Sequence, residues 1–276
     1  MGNVKPIKTK YRTIFISDLH LGTKRSRADL LLHFLKHTES DTLYLVGDII
    51  DNWALKRTWF WEQSHNDVIQ KILRKARKGT KVVFIPGNHD EVFRDFTKQS
   101  FGGIRVKLND IHTTADGKKY LVMHGDEFDG VVLYAKWLAY LGDRAYEIAV
   151  NLNHYFNKIR RFFRLPYWSL SAFLKRRVKR AVEFIGNFED AVVRKAHSKG
   201  VHGVICGHIH TPEMRMIDGI HYCNDGDWVE TCSALVEHGD GRFELLDWTK
   251  FQDSESVEED ESEAVDDSDG RLVSAS

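Results

Sequence analysis

The stretch YRTIFISDLHLG, from Tyr11 to Gly22, decides the fold. Its first part, Tyr11–Ser17, is β-branched and aromatic and predicts a strand. Its second part places Asp18 and His20 where that strand should end. The same arrangement recurs four times. Thr42–Val46 runs into Gly47-Asp48, and Lys81–Ile85 stops at Pro86 before Gly87-Asn88-His89-Asp90. Lys119–Met123 runs into His124-Gly125-Asp126, and Val201–Cys206 into Gly207-His208-Ile209-His210. Helical spacing of apolar residues over Ala28–Lys36 and Glu62–Lys78 separates the early strands. Met214–Ile217, Ile220–Asn224, Ser233–Glu237 and Arg242–Asp247 are further predicted strands. Early βαβ alternation followed by a run of strands predicts an α/β protein with mixed sheets. In such sheets the ligand crevice lies outside the carboxyl ends of the strands. Glycine beside each polar group permits positive φ or a close backbone approach.

The 276 residues suffice for a hydrophobic core without disulfides, and 42% of them are hydrophobic. Cys206, Cys223 and Cys232 are too few and too scattered for a disulfide framework, which fits a reducing compartment. No stretch approaches ~18 consecutive apolar residues. The first ten residues carry no apolar segment of the secretory kind, so the expected location is cytoplasmic. The net charge of zero hides an asymmetry: residues 251–276 hold ten acidic residues and one basic. Without them, 39 basic and 30 acidic residues remain, a net of +9 over residues 1–250. This acidic tail has few large apolar residues and is expected to be disordered and solvated.

Residues 1–250 are therefore expected to form one domain, interrupted at about 130–199 by a helical insertion that lies between the two histidine-bearing motifs. Within Ile148–Val182 there are nine Lys or Arg residues, no Asp or Glu, and interleaved aromatics such as Tyr155, Phe162, Tyr167 and Trp168. That composition suits an anionic headgroup or the bilayer interface, and equally a packed subdomain with a solvated basic face.

The residue types at the strand ends point to metal ions. Carboxylate and amide oxygens with imidazole nitrogens suit borderline divalent ions such as Mn²⁺, Fe²⁺ or Zn²⁺, and no cysteine occupies a matching position. Seven residues from these motifs exceed one ordinary tetrahedral ion but suit two that share a carboxylate. A hydroxide between two such ions is a natural nucleophile for in-line displacement. Singly, each motif is ordinary loop sequence; five of them in order after predicted strands are not.

The ordered set Asp-x-His, Gly-Asp, Gly-Asn-His-Asp, His-Gly-Asp and Gly-His-x-His, spanning Asp18 to His210, resembles the calcineurin-like metallophosphoesterase superfamily. The resemblance implies a sandwich of mixed β-sheets flanked by helices. It implies Asp18, His20 and His210 on one metal, Asn88, His124 and His208 on the other, and Asp48 bridging them. It places His89 as a catalytic histidine near the leaving group, with Asp90 orienting its imidazole. From about Arg12 to Trp248 the chain also resembles the UDP-2,3-diacylglucosamine diphosphatase family of bacterial lipid A synthesis. The resemblance includes Gly47-Asp48-Ile49-Ile50-Asp51, His124-Gly125-Asp126-Glu127-Phe128-Asp129 and Asn224-Asp225-Gly226-Asp227-Trp228. It implies Mn²⁺-dependent cleavage of a UDP pyrophosphate to UMP and a lipid phosphate, a lid in place of the insertion, and peripheral contact with the inner membrane. The best-known members of that family have Gly-Asn-Arg-Asp where this chain has His89. A nuclease or nucleotide phosphodiesterase on the same metal centre is the alternative, because basic aromatic helices also suit single-stranded nucleic acid. A non-catalytic scaffold is disfavoured by the complete ligand set.

Overall fold

The computed structural model describes residues 8–128, 157, 160, 161, 163, 169 and 188–250. The acidic tail and most of the basic aromatic insertion lie outside the described residues.

The predicted two-sheet sandwich is what the chain forms. One sheet contains β1 (Thr9–Ile16), β2 (Thr38–Val46), β3 (Lys81–Ile85), β4 (Ser100–Phe101) and β5 (Ile104–Val106). The other contains β6 (Asp110–Thr113), β7 (Lys119–Val122), β8 (Gly203–Cys206), β9 (Glu213–Ile217) and β10 (Ile220–Asn224). The chain then returns to the first sheet with β11 (Ser233–Glu237) and β12 (Phe243–Asp247). The orders are β12-β11-β1-β2-β3-β5-β4 and β6-β7-β8-β10-β9. In the first sheet β1, β2, β3 and β5 are parallel and the outer strands antiparallel. In the second, β7, β8 and β10 are parallel, with β6 and β9 antiparallel at the edges.

The period-2 alternation of side chains divides the core into layers. Ile14 and Ile16 of β1 and Leu43 and Leu45 of β2 point outward, onto α1 (Ala28–His37) and α3 (Gln63–Arg77). Helix α1 contributes Leu31, Phe34 and Leu35, and α3 contributes Val68 and Ile72. The intervening Phe15, Tyr44 and Val46 point the other way, against Tyr120, Val122 and Ile205 of the second sheet. The outer face of that second sheet is covered by helix α4 (188–199), through Phe188, Val192, Val193 and Ala196 packed on Leu121, Val204 and Tyr222. The last part of the segment read as an insertion is thus a core helix of the body.

Four short elements were not foreseen: α2 (Asn52–Arg57), the β4–β5 hairpin, β6, and a 3₁₀ turn over Glu91–Phe96. Each is too short to show periodicity, and each borrows its stability from neighbours. All five motif-bearing strands end on the same side of the sandwich, which gathers their terminal loops into one site.

Candidate metal centre

Each motif occupies the turn directly after its strand, and the turns are cross-tied. The N–H of Asp18 donates to the Gly47 carbonyl, that of His20 to the Asp48 carbonyl, and that of Gly207 to the His124 carbonyl. Crowding dictates the glycines. A Cβ at Gly87 would collide with Asp48 Oδ1 and with His124 Nε2, and one at Gly47, at φ +87°, would collide with the His124 ring. Asp18, His20, Asp48, His208 and His210 all lie at φ between +45° and +71°. Left-handed backbone costs a non-glycine residue about 1–2 kcal/mol. Strain concentrated on five residues of one site is held by the surrounding packing and marks function.

The donors fall into clusters. The ligating atoms of Asp18, His20 and His210 lie within 4.8 Å of one another, as do those of Asp48, His124 and His208. A third such group joins His20 and His89 to Asp51. Asn88 brings a buried amide Oδ1 that has no hydrogen-bond partner.

The imidazoles are oriented by groups behind them. His124 Nδ1 lies 2.8 Å from the Val46 carbonyl, so it carries the proton and donates it. Its Nε2 lone pair then faces Asp48 Oδ2 at 3.5 Å, buried and without a hydrogen bond. His20 is turned likewise: Nδ1 donates to Asp51 Oδ2 at 3.1 Å, while Nε2 stands 3.7 Å from Asp18 and 3.9 Å from Asp48. A lone pair opposite a carboxylate is repulsive unless positive charge lies between them. Ligands about 2.0–2.2 Å from one ion stand about 3–3.5 Å from each other, close to these separations. A carboxylate or carbonyl behind the imidazole is the usual support for a metal-bound histidine. The residues therefore fit divalent ions.

The electrostatics agree. Burial alone would lower the two imidazoles. Their carboxylate neighbours win, pushing His20 up to about 9 (Asp18, Asp51, Asp48) and His124 up to about 10 (chiefly Asp48). Burial would raise Asp48 and Asp18, yet the facing histidines hold both below the usual carboxylate range. The site thus demands positive charge, as protons or as metal.

One assignment is corrected. Asp90 does not orient the His89 imidazole. Its carboxylate accepts from the backbone N–H of Gly87 at 2.6 Å, Ile49 at 2.7 Å and Ile50 at 3.3 Å, tying the His89 loop to the Asp48 loop. Burial and the charge of Asp48 push Asp90 up to about 6. A sequence neighbour of His89 points its side chain elsewhere, and the orienting group is Asp51, whose Oδ1 lies 3.0 Å from His89 Nδ1. Asp51 also accepts from Ala54 N at 2.7 Å, capping α2, which fixes its position. Burial opposes its ionisation, but hydrogen bonds from His20, His89 and Ala54 hold it well below the usual range. The signal for Asp51 was its place three residues after Asp48.

Asp225 and Ser17 were also missed. Ser17 Oγ lies 2.7 Å from both Asp18 Oδ2 and Asp225 Oδ1. One hydroxyl proton serves only one of them. Burial pushes Asp225 well above the usual carboxylate range, and Ser17 stands between it and Asp18. Of the remaining histidines, His65 accepts from Gly22 N, His221 bonds the Tyr120 hydroxyl and His112 bonds Glu237, as expected of structural residues. Cys206 is wholly buried.

The chain is similar to several known proteins. A UDP-2,3-diacylglucosamine hydrolase of Aliivibrio fischeri (strain MJ11) is 29% identical over 250 residues, covering 84% of this chain and 96% of that one. The enzyme of the same name from Neisseria meningitidis serogroup B is 27% identical over 241 residues, covering 82% and 94%. A phosphoesterase of E. coli of solved structure, Yfce, aligns over 85% of this chain and 98% of its own at 13% identity, with a TM-score of 0.42. The model of the calcineurin-like phosphoesterase family matches residues 11–212, from the first strand of the site to just past its last histidine, and this chain belongs to that family as a metal-dependent hydrolase of phosphoester or pyrophosphate bonds.

Proposed function

We propose that the chain hydrolyses the pyrophosphate bond of a UDP-diacylglucosamine-like nucleotide lipid, with two divalent ions, most readily Mn²⁺. The observation that carries the metal-dependent part is the buried His124 Nε2 lone pair facing Asp48 across 3.5 Å, with the proton held on the far nitrogen. The substrate rests on the two relatives named above, each covered almost end to end.

In this reading Asp18, His20 and His210 would hold one ion and Asn88, His124 and His208 the other, with Asp48 available to both. When bound, the ions supply an activated water and neutralise charge on the phosphoryl oxygens. The protein's own part is positional. Asp51 holds His20 by a hydrogen bond to Nδ1, and its other oxygen lies 3.0 Å from His89 Nδ1. His89 is about one-quarter exposed at its side chain, more than Asp18, His20, Asp48, His124 or His210, so a substrate can reach it. Its Nε2 stands 3.9 Å from Asp48 Oδ2, at the edge of the centre, where a proton can pass to a departing phosphate oxygen. Trp53 packs on the other side of the His89 ring, with centroids 4.4 Å apart, and limits its rotation. The basic insertion would cover the lipid part as a lid, and its composition is compatible with peripheral contact with an anionic membrane.

The test is a product assay on purified, Mn²⁺-loaded protein with UDP-2,3-diacylglucosamine. Release of UMP and a lipid phosphate is the expected result. No turnover of that lipid, alongside nucleotide release from single-stranded DNA or RNA, would replace this reading with the nuclease one.

A further inference from the structure

At the opposite end of the sandwich, about 30 Å from the metal centre by the length of β1, lies a basic basin. The amino ends of β1 and β2 and the carboxyl end of α3 enclose a cavity of about 380 Å³. Six cations line it: Lys8, Lys10, Lys71, Arg74, Lys75 and Lys78. The two acidic lining residues, Glu39 and Asp41, sit on the rim, already paired with Lys8 and Lys10. The lining keeps a net excess of four positive charges, although the charge of Glu39 also reaches Lys75 and Lys78. The carbonyl end of α3 offsets only about half a charge.

Two observations distinguish the basin from an ordinary solvated lysine face. Lys75 is only 8% exposed, and its ammonium donates to the Thr38 carbonyl at 2.5 Å, so it is fixed in the floor. Burial, followed by the charges of Lys71 and Lys8, pushes it down to about 8. Beside it Ser40, 6% exposed, holds a buried hydroxyl that has no hydrogen-bond partner, although a lining strand could easily have carried alanine there. A buried hydroxyl without a partner costs about 1–3 kcal/mol. A tetrahedral oxyanion would satisfy it while meeting the ammonium groups.

We propose that this basin is a second, non-catalytic binding site for a phosphate-bearing anion, with Lys71, Lys75 and Lys78 as its charged floor and wall, Arg74 as its planar clamp and Ser40 as a neutral donor. Arginine adds the paired N–H geometry that matches phosphate oxygens, and lysine the point charge. The phosphate is either a free small anion or the headgroup of an anionic lipid, and the two sources share this chemistry.

The experiment uses the full-length, Mn²⁺-loaded protein and compares wild type with the triple variant Lys71→Gln, Arg74→Gln, Lys78→Gln. Binding of inorganic phosphate is followed by calorimetry, and binding to vesicles of phosphatidylglycerol in phosphatidylcholine by co-sedimentation. Wild type should bind one phosphate more than the variant at low salt. Hydrolysis of a small soluble phosphodiester should be equal in both, because the metal centre is remote. Vesicle binding unchanged in the variant assigns the site to a free anion. A vesicle-binding loss of roughly a hundredfold, as for three lost cations at a membrane surface, assigns it to a headgroup. Ser40→Ala is the second probe. It should fold at least as stably as wild type and bind phosphate several-fold more weakly, which a merely structural serine would not do. Equal phosphate stoichiometry and affinity in wild type and both variants, with unchanged vesicle binding, would overturn the proposal.

Discussion

At the carboxyl ends of β1 and β2 the chain buries Asp18 and Asp48 among imidazoles, with Asp51 just behind them; at the amino ends of the same two strands it gathers Lys8 and Lys10 beside Lys71, Lys75 and Lys78. Both ends hold charge that the protein does not neutralise by itself, but they are built differently. The acidic end is held by backbone ties, left-handed residues and glycines that admit no Cβ. The basic end, apart from Lys75 and Ser40, rests on long flexible side chains. Rigidity at one end and compliance at the other is what separates a centre that must fix atoms for chemistry from a surface that must only attract.

That contrast is broken most severely at Asp48. Asp48→Ala should abolish turnover, by roughly 10³-fold or more, since ion-mediated charge stabilisation is worth several kcal/mol. Metal analysis should find fewer than two ions per folded chain. Two ions still bound would show that Asp48 is not shared. His89→Ala should keep both ions and lose ~10²–10⁴-fold in turnover, the usual contribution of a general acid. An activated aryl leaving group should shrink that loss, as it needs no proton. Equal losses with good and poor leaving groups would make His89 a charge stabiliser instead.

Asp51→Asn tests the rigidity itself. The substituted side chain cannot accept from two imidazole N–H groups as a carboxylate does. A loss of about 10–100-fold in metal affinity or activity is expected, as for other groups behind metal ligands. Asp90→Asn, whose partners are backbone N–H groups, should lower thermal stability more than it shifts the pH profile. The reverse outcome would return the orienting role to Asp90.

The smallest effect is a pH dependence confined to metal-stripped protein. His20 and His124 have folded values of about 9 and about 10, above the ordinary histidine value of about 6.5. Groups raised on folding stabilise fully below the unfolded value and lose that contribution as pH rises through the folded one. Melting temperature of the stripped protein should therefore fall between about pH 7 and 10. Metal takes the protons' place, so the loaded protein should show a flatter profile over the same range. Parallel profiles with and without Mn²⁺ would mean that the ions do not sit on these imidazoles.

Much of this protein was legible from Tyr11 onward, because two local rules suffice. Period-2 alternation ended by Gly, Asp, His or Asn marks both the strand and the loop that carries chemistry. The five strands, the candidate ligands at their ends, and the two-sheet class were legible in this way, as was the family. The sequence alone also determined the charge split between the body and its acidic tail.

Partners that are distant in sequence were decided only by tertiary structure. Asp51 reaches His20 and His89 because a helix cap turns its carboxylate toward two other loops, while Asp90 is drawn away by backbone N–H groups across the crevice. Helix 188–199 became core because the outer face of the second sheet needed covering. The basic basin exists because parallel pairing aligns the starts of β1 and β2 beside the end of α3, a juxtaposition of three segments that no local pattern encodes. Propensity and periodicity act over a few residues; charge and burial act through space, and only the folded chain sets which charges meet.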